Sequence, residues 1–228
     1  MNADVRAYFG ELLGTFMLVF IGTSVAVLQG GPLGGYGAAG LIMVSFAFGG
    51  TLMVLVNVIG PVSGCHLNPA VTIPMVLAGK LPGGKAPGYI VAQLLGGFAA
   101  SGALMVLLNG IPGYTVEKFG LGANGNQVHM GTTQLLGWEI VLTALFLFTI
   151  FSATRADFKG STPLAIGGFL FIAHLVGAQL GDSSLNPARS LGPALLSGQG
   201  TDVLWIFCVG PVVGGLLGYG LYKVAYAD

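Results

Sequence analysis

The chain has 228 residues, of which only 7% are charged and 54% are hydrophobic, and its mean hydropathy is +0.85. Eight basic and eight acidic residues give it a formal net charge of zero. Soluble domains carry about 25% charged residues, so this chain has too few of them to cover a soluble surface. The composition therefore excludes an ordinary soluble enzyme, a nucleic-acid-binding protein and a disordered protein.

Long stretches without Asp, Glu, Lys or Arg indicate an integral membrane protein, and the longest of them, Leu12–Gly79, has 68 residues. A membrane-spanning helix needs about 20 apolar residues. The alternation of apolar and polar residues that is typical of outer-membrane barrels is missing. Six spanning helices are predicted, at Tyr8–Leu28, Gly37–Gly60, Gly88–Leu108, Leu135–Ala153, Pro163–Gly181 and Val203–Tyr222.

The positions of the basic residues predict the orientation. Six spans leave both termini on one side of the membrane, and the basic residues on that side are Arg6, Lys80, Lys85, Arg155, Lys159 and Lys223. Because positive charge collects on the cytoplasmic side, both termini are expected in the cytoplasm of a multi-pass protein of the cell membrane.

A repeat relates the two halves of the chain. The tripeptide Asn-Pro-Ala occurs at 68–70 and again 118 residues later at 186–188, and Glu11 recurs 128 residues later as Glu139. The ten-residue difference predicts a longer loop around 30–37. Each copy holds three spans, an odd number, so the second copy must cross the membrane in the opposite sense.

The repeat predicts one transmembrane channel domain over residues 1–228. Its two inverted halves are expected at about 1–110 and 130–228, joined by the loop 110–133. Folds of this kind place the path of the solute at the interface of the repeats, near the membrane midplane.

Each Asn-Pro-Ala sequence predicts the start of a short helix, because Asn caps free backbone N–H groups and Pro suits the first helical position. The apolar segments that follow, Val71–Ala78 and Ser190–Ser197, are too short to span a membrane. They are predicted to be re-entrant half-helices whose N-termini meet at mid-membrane. The central constriction would then consist of Asn68, Pro69, Ala70, Asn186, Pro187 and Ala188.

Two facing half-helices predict the conduction of a neutral solute. Each helix N-terminus carries roughly half a positive charge, so the pair repels cations, including hydronium. The side-chain amides of Asn68 and Asn186 can each donate a hydrogen bond to a water oxygen. A water held by two donors points its own hydrogens outward and cannot relay a proton through the site.

These motifs resemble the aquaporin, or major intrinsic protein, family. The resemblance is carried by Gly64–Thr72, by Ser184–Ser190 and by the Glu-x-x-x-Thr pattern that begins at Glu11 and at Glu139. The loop Gly122–Gly125 is most similar to that of the prokaryotic water-selective members. The resemblance implies an all-α membrane fold of six transmembrane helices and two re-entrant half-helices, and a homotetramer with one pore in each protomer.

The resemblance also implies a selectivity filter on the outer side of the paired asparagines. Position matching assigns it to Phe48, His174, Ser183 and Arg189. The Phe, His and Arg resemble those of water-selective members, whereas glycerol-conducting members tend to have Trp, Gly and Phe in the first three places. Cys208 departs from the pattern, because water-selective relatives often carry Trp there. Phe48 and His174 also have a purely structural interpretation, as packing residues within their spans.

Four further residues are candidates for a role at the site, and three of them have two interpretations each. Glu11 and Glu139 either accept hydrogen bonds from the re-entrant loops, which the repeat favours, or carry protons in a coupled transporter. The resemblance makes His66 a part of the same loop scaffold. Cys65 corresponds to Ser183 in the repeat, so its thiol either faces the pore or packs against a neighbouring span.

We predict a passive water channel that excludes protons and ions. Water is the expected permeant, and the lipid bilayer is expected to surround the protein. No cofactor, no metal and no enzymatic activity are expected. A facilitator of glycerol or another small neutral solute is the alternative within the family. A proton-coupled secondary transporter and a sealed structural membrane protein are the alternatives from other classes.

Overall fold

The computed structural model describes residues 2–30, 37–126, 128–181 and 183–226, and these ranges contain helices and no strand. Their α-helices in chain order are α1 (Ala3–Gly30), α2 (Ala38–Val58), α3 (Gly60–Ser63), α4 (Pro69–Leu77), α5 (Ala86–Leu108), α6 (Val116–Phe119), α7 (Thr132–Ala153), α8 (Thr162–Gly181), α9 (Pro187–Ser197) and α10 (Leu204–Ala225). The longer loop predicted around 30–37 lies mostly outside the described residues.

Six of these helices, α1, α2, α5, α7, α8 and α10, are long and apolar enough to cross a membrane. They confirm the six predicted spans to within a few residues. The largest difference is at the start of α1, which begins at Ala3 and not at Tyr8. The side-chain oxygen of Asn2 accepts a hydrogen bond from the backbone N–H of Val5 at 2.9 Å, and this cap extends the helix beyond the apolar segment.

The two half-helices are α4 and α9, with nine and 11 residues. They begin at Pro69 and Pro187, the first residues after the two asparagines, so the rule that places Pro at the first helical position holds in both copies. Neither is long enough to span a membrane.

Helix packing follows the repeat. Helix α1 packs on α5 as α7 packs on α10, and α2 packs on α8 between the two halves. The last long helix of each half packs on the half-helix of the other, α5 on α9 and α10 on α4. At these contacts a methyl group on Gly97 would overlap the carbonyl oxygen of Ala188, and one on Gly215 would overlap that of Ala70. Glycine therefore permits the close approach of α5 to α9 and of α10 to α4.

Candidate functional site: a pore between two half-helices

The N-termini of α4 and α9 meet in the interior of the protein. The side-chain oxygen of Asn68 accepts from the backbone N–H of Ala70 at 2.8 Å, and that of Asn186 accepts from Ala188 at 2.9 Å. Each asparagine thus caps its own half-helix, as predicted.

The same asparagines connect the two repeats. The amide nitrogen of Asn68 donates to the carbonyl oxygen of Leu185 at 2.7 Å, and that of Asn186 donates to Leu67 at 2.8 Å. A side-chain amide has two N–H groups, so one N–H of each asparagine is left for a solute. Both residues line a small cavity, which we call the narrow cavity.

The backbone before each asparagine is held in a conformation that L-residues rarely adopt. Leu67 and Leu185 have φ angles of 53° and 52°, in the left-handed region. Such a residue costs on the order of 1–3 kcal/mol and persists only where its surroundings determine it. Here the N–H of Leu67 donates to a carboxylate oxygen of Glu11 at 2.6 Å, and that of Leu185 donates to Glu139 at 3.0 Å.

Glu11 is fully buried and accepts hydrogen bonds from two loop N–H groups and two side chains. These donors are Ser63 Oγ at 2.6 Å, His66 N at 2.9 Å, Leu67 N at 2.6 Å and Gln93 Nε2 at 2.7 Å. Glu139 accepts from the backbone of Ser184 and Leu185. His66 contacts Thr72 Oγ1 through Nδ1 at 3.2 Å. This geometry is what a loop scaffold requires, because an ionised carboxylate is an acceptor only.

The narrow cavity has a volume of about 20 Å³. A buried site needs about 10–15 Å³ to hold one water molecule, so this cavity has room for about one water. Its lining residues are Leu18, Phe48, Leu52, His66, Asn68, Phe146, Leu170, His174, Ser184, Leu185, Asn186 and Arg189.

Three of the four predicted filter residues meet at this cavity. The rings of Phe48 and His174 stack with their centroids 4.5 Å apart. The guanidinium carbon of Arg189 lies 4.9 Å from the centre of the Phe48 ring, in a cation–π contact. Ser183 is buried but is not among the residues that line the cavity within the described ranges, and its hydroxyl donates to the carbonyl of Ala173 at 3.4 Å.

The orientation of His174 follows from one hydrogen bond. Its Nδ1 lies 2.9 Å from the carbonyl oxygen of Leu170, which can only accept, so Nδ1 carries the proton. In the neutral ring Nε2 is then an acceptor. This nitrogen is buried without a hydrogen-bond partner among the described residues, and the ring lines the narrow cavity. Nε2 is therefore available to accept a hydrogen bond from a solute.

Arg189 is connected to the loop that follows α6. Its Nη1 donates to the carbonyl oxygen of Gly122 at 2.7 Å. Asn124, two residues after Gly122 in the same loop, accepts a hydrogen bond through its side-chain oxygen from the hydroxyl of Ser190 at 2.6 Å. Ser190 also contacts the hydroxyl of Ser184, which in turn donates to the carbonyl of Asn186 at 2.9 Å. The loop thus holds the start of α9, including its one cation, in a single orientation.

A second, larger cavity of about 300 Å³, the wide cavity, adjoins the narrow one, since Leu52, His66 and Phe146 line both. Cys65 is buried in its wall. At its other end lies Thr154, whose Oγ1 accepts from Lys80 Nζ at 2.9 Å. Burial lowers the pKa of Lys80 from its ordinary value.

A sequence profile of the family described as major intrinsic protein matches residues 2–222. The chain belongs to this family. Aquaporin Z of Bradyrhizobium diazoefficiens is 40% identical over 227 residues, which cover 96% of this chain and 93% of that protein. Aquaporin Z of Rhodopseudomonas palustris is 41% identical over 228 residues, covering 97% and 93%. The predicted family and the likeness to its prokaryotic aquaporins are confirmed.

A solved structure shows the same fold. The X-ray structure of the aquaglyceroporin from Plasmodium falciparum superposes on this chain with a TM-score of 0.83 at 25% identity, covering 98% of this chain and 97% of that one. Together with the six spans and two half-helices, this confirms the predicted all-α membrane fold of this major intrinsic protein.

Sequence reasoning missed part of the pore wall of this major intrinsic protein. Four apolar residues line the narrow cavity although none of them was assigned to the pore from the sequence: Leu18, Leu52, Phe146 and Leu170. The repeat contains the signal that identifies them. Leu18 and Phe146 are separated by the same 128 positions as the two glutamates, and Leu52 and Leu170 by the same 118 as the two asparagines.

The scaffold role of Glu11 gives a testable prediction. In Glu11→Gln one carboxylate oxygen becomes an NH2 group that faces N–H donors, and each buried hydrogen bond lost in this way costs about 1–3 kcal/mol. We expect a lower melting temperature in detergent and a smaller yield of folded protein. Glu117→Gln, in the exposed helix α6, is the matched control and should leave both unchanged. A Glu11→Gln protein as stable as the wild type would contradict the scaffold role.

Proposed function

We propose that this major intrinsic protein is a passive water channel that excludes protons and ions. The observation that carries the proposal is the narrow cavity, which has room for one water between the paired asparagines, His174 and Arg189. Curated relatives at about 40% identity named Aquaporin Z support water as the permeant. The chain conducts water.

The polar groups at the cavity form a path on an apolar wall. Asn68 and Asn186 offer N–H donors, and His174 offers an acceptor at Nε2. The remaining wall includes Leu18, Leu52 and other apolar side chains, which make no hydrogen bond to water. A water molecule exchanges its hydrogen bonds with these few groups one after another and loses its other neighbours, so it passes in single file.

Proton exclusion rests on charge and on donor geometry. The N-termini of α4 and α9 add their partial positive charges at the centre of the pore. Arg189 places a full positive charge on the wall of the same cavity. A water that accepts from both asparagine amides points its hydrogens outward and cannot receive a proton from the next water in the file.

Glycerol is the rival permeant within the family. The solved aquaglyceroporin structure has the same fold, so the fold does not discriminate between the two solutes. The stacked rings of Phe48 and His174 and the volume of about 20 Å³ favour water, because a cavity of this size has room for about one water molecule. Proton coupling through Glu11 is disfavoured, since its carboxylate oxygens already accept four hydrogen bonds.

Stopped-flow light scattering on proteoliposomes tests this function. Purified protein should give fast osmotic shrinkage with a low activation energy and without a proton gradient, and no glycerol uptake above that of empty liposomes. Water flux that needs a proton gradient would indicate a coupled transporter. Shrinkage at the rate of empty liposomes would indicate a sealed structural protein, and either result would overturn the proposal.

The orientation and assembly complete the proposal. We propose that the chain lies in the cell membrane with both termini in the cytoplasm. With six spans, the six basic residues named above fall on the same side of the membrane as the termini, and positive charge collects on the cytoplasmic side.

A homotetramer is expected from the family resemblance. The mass of the protein in a gently solubilising detergent tests this assembly, and the mass of a monomer would contradict the tetramer. Because the similar proteins are aquaporins, no enzymatic activity is proposed.

The predicted pore thiol is tested with mercury. Cys65 lies in the wall of the wide cavity, so a mercury ion bound there would narrow the water path. We expect a small mercurial to inhibit water flux in the wild type and in Cys208→Ser, but not in Cys65→Ser. Cys208, half-buried on α10, is the control thiol. Inhibition that persists in Cys65→Ser would show that the thiol does not face the pore.

A further inference from the structure

The ring of Phe48 is supported from behind by a residue that has no side chain. Gly22 lies on α1, and a methyl group placed on it would overlap three atoms of the Phe48 ring, Cδ1, Cε1 and Cζ. The ring therefore occupies the space that any other residue at position 22 would fill.

The same ring also contacts two other predicted filter residues. Phe48 is 1% exposed. The His174 ring is stacked on it at 4.5 Å, and the guanidinium of Arg189 lies 4.9 Å from its centre. Protein interiors are packed as densely as organic crystals, so we expect a ring displaced from α1 to move toward the narrow cavity that all three residues line.

The inverted repeat provides an internal comparison. The counterpart of Gly22 in the second half is Ile150, 128 positions later, and the counterpart of Phe48 is Ile166, 118 positions later. Both isoleucines line the wide cavity of about 300 Å³. In the first half, Phe48 thus lines the narrow cavity with Gly22 behind it, whereas at the equivalent place of the second half two isoleucines line the wide cavity.

We propose that Gly22 is a specificity-determining residue of the channel, because its missing side chain lets the Phe48 ring lie against α1 and so leaves a passage for one water. The inference rests on the proposed function. It assigns to α1 a part in the filter that the paired asparagines, Phe48, His174 and Arg189 do not account for by themselves.

The experiment measures water and glycerol permeability per reconstituted copy in four variants. These are Gly22→Ala, Phe48→Ala, the double variant and Gly102→Ala. We expect Gly22→Ala to lower water permeability by about tenfold, which corresponds to about 1.4 kcal/mol of added barrier. In the Phe48→Ala background the added methyl enters the volume that the ring has vacated, so it should change water permeability by less than about twofold, a coupling that a double-mutant cycle isolates.

Gly102→Ala is the matched control, because a methyl group at this helical position of α5 meets nothing within 4 Å. It should conduct as the wild type does. Water permeability of Gly22→Ala equal to that of the wild type overturns the proposal. So does an equal loss in both backgrounds, because the effect would then act through the packing of α1 and not through the ring. A wild type that conducts no water would refute the proposed function itself, which is a different result.

A second pair of variants decides the question if Gly22→Ala does not fold. Leu at position 48 is shorter than Phe and reduces the overlap without abolishing it, so Phe48→Leu and Gly22→Ala/Phe48→Leu should both reach the membrane. We expect the methyl group that Gly22→Ala adds to lower the glycerol permeability of Phe48→Leu several-fold, because this methyl group again pushes the side chain at position 48 into the path. Equal glycerol permeability of the two variants overturns the proposal.

Discussion

The double variant Phe48→Trp/His174→Gly is expected to conduct glycerol, which we expect the wild type to exclude. Removing the imidazole opens the side of the narrow cavity that now lies 4.5 Å from the ring of residue 48. Trp then provides a broad apolar wall for the carbon skeleton. Because pocket contacts on the scale of a methylene discriminate by about tenfold or more, glycerol permeability should rise at least tenfold.

Light-scattering recovery of proteoliposomes in a glycerol gradient measures this change. His129→Gly is the matched control, because it removes a histidine that is exposed and remote from the filter, in the loop before α7. Its glycerol permeability should remain at the level of empty liposomes. Equal exclusion of glycerol by the wild type and the double variant would refute the assignment of the filter to Phe48 and His174.

Arg189→Val is expected to keep conducting water while it leaks cations. Arg189 is 1% exposed, and its charge lies on the wall of the narrow cavity. At an effective dielectric constant of 20, a cation about 5 Å from the guanidinium is repelled by about 3 kcal/mol. Removing this repulsion should raise proton or monovalent-cation leak by roughly 100-fold. Water flux persists, since the asparagine donors are unchanged.

The decay of a pH gradient across proteoliposomes, followed with a trapped dye, measures the leak. Arg155→Val controls for the loss of a positive charge, because Arg155 pairs with Asp157 outside the spans and is not among the residues that line either cavity. It should hold the gradient as the wild type does. If Arg189→Val also holds it, the dipoles of α4 and α9 form the barrier without the arginine.

Most of the fold was predictable because a membrane imposes strong constraints on sequence. Every backbone group in the hydrocarbon region must be hydrogen-bonded internally, so a long apolar segment has to be a helix. For this reason the six spans follow from hydropathy, and only their ends differ, as at Ala3, where the cap from Asn2 is a local hydrogen bond that hydropathy does not detect. The half-helices followed from Asn-Pro-Ala, because the cap and the first turn are encoded in adjacent residues.

Site residues could be predicted from the sequence where the same motif occurs in both repeats, and could not be predicted where it occurs in only one. Asn68 and Asn186 stand in a tripeptide that occurs twice, whereas Gln93, which donates to Glu11 at 2.7 Å, corresponds to Pro211 in the other half. A residue without a repeated partner leaves no such signal. Ser183 was assigned by position alone, and its hydroxyl is directed toward Ala173 and not to the cavity wall, so its part in the filter stays a prediction.

The sequence by itself determined the membrane location, the helical class, the inverted repeat and the two capped half-helices, because each of these depends on composition or on residues that are neighbours in the chain. Only the tertiary structure decided the size of the pore. The distance between Phe48 and His174, the support of Phe48 by Gly22 and the hydrogen bond from Arg189 to Gly122 all join residues that are far apart in the chain. Such contacts arise from how helices pack, and for this reason we expect a difference of one methyl group there to change the width of the path.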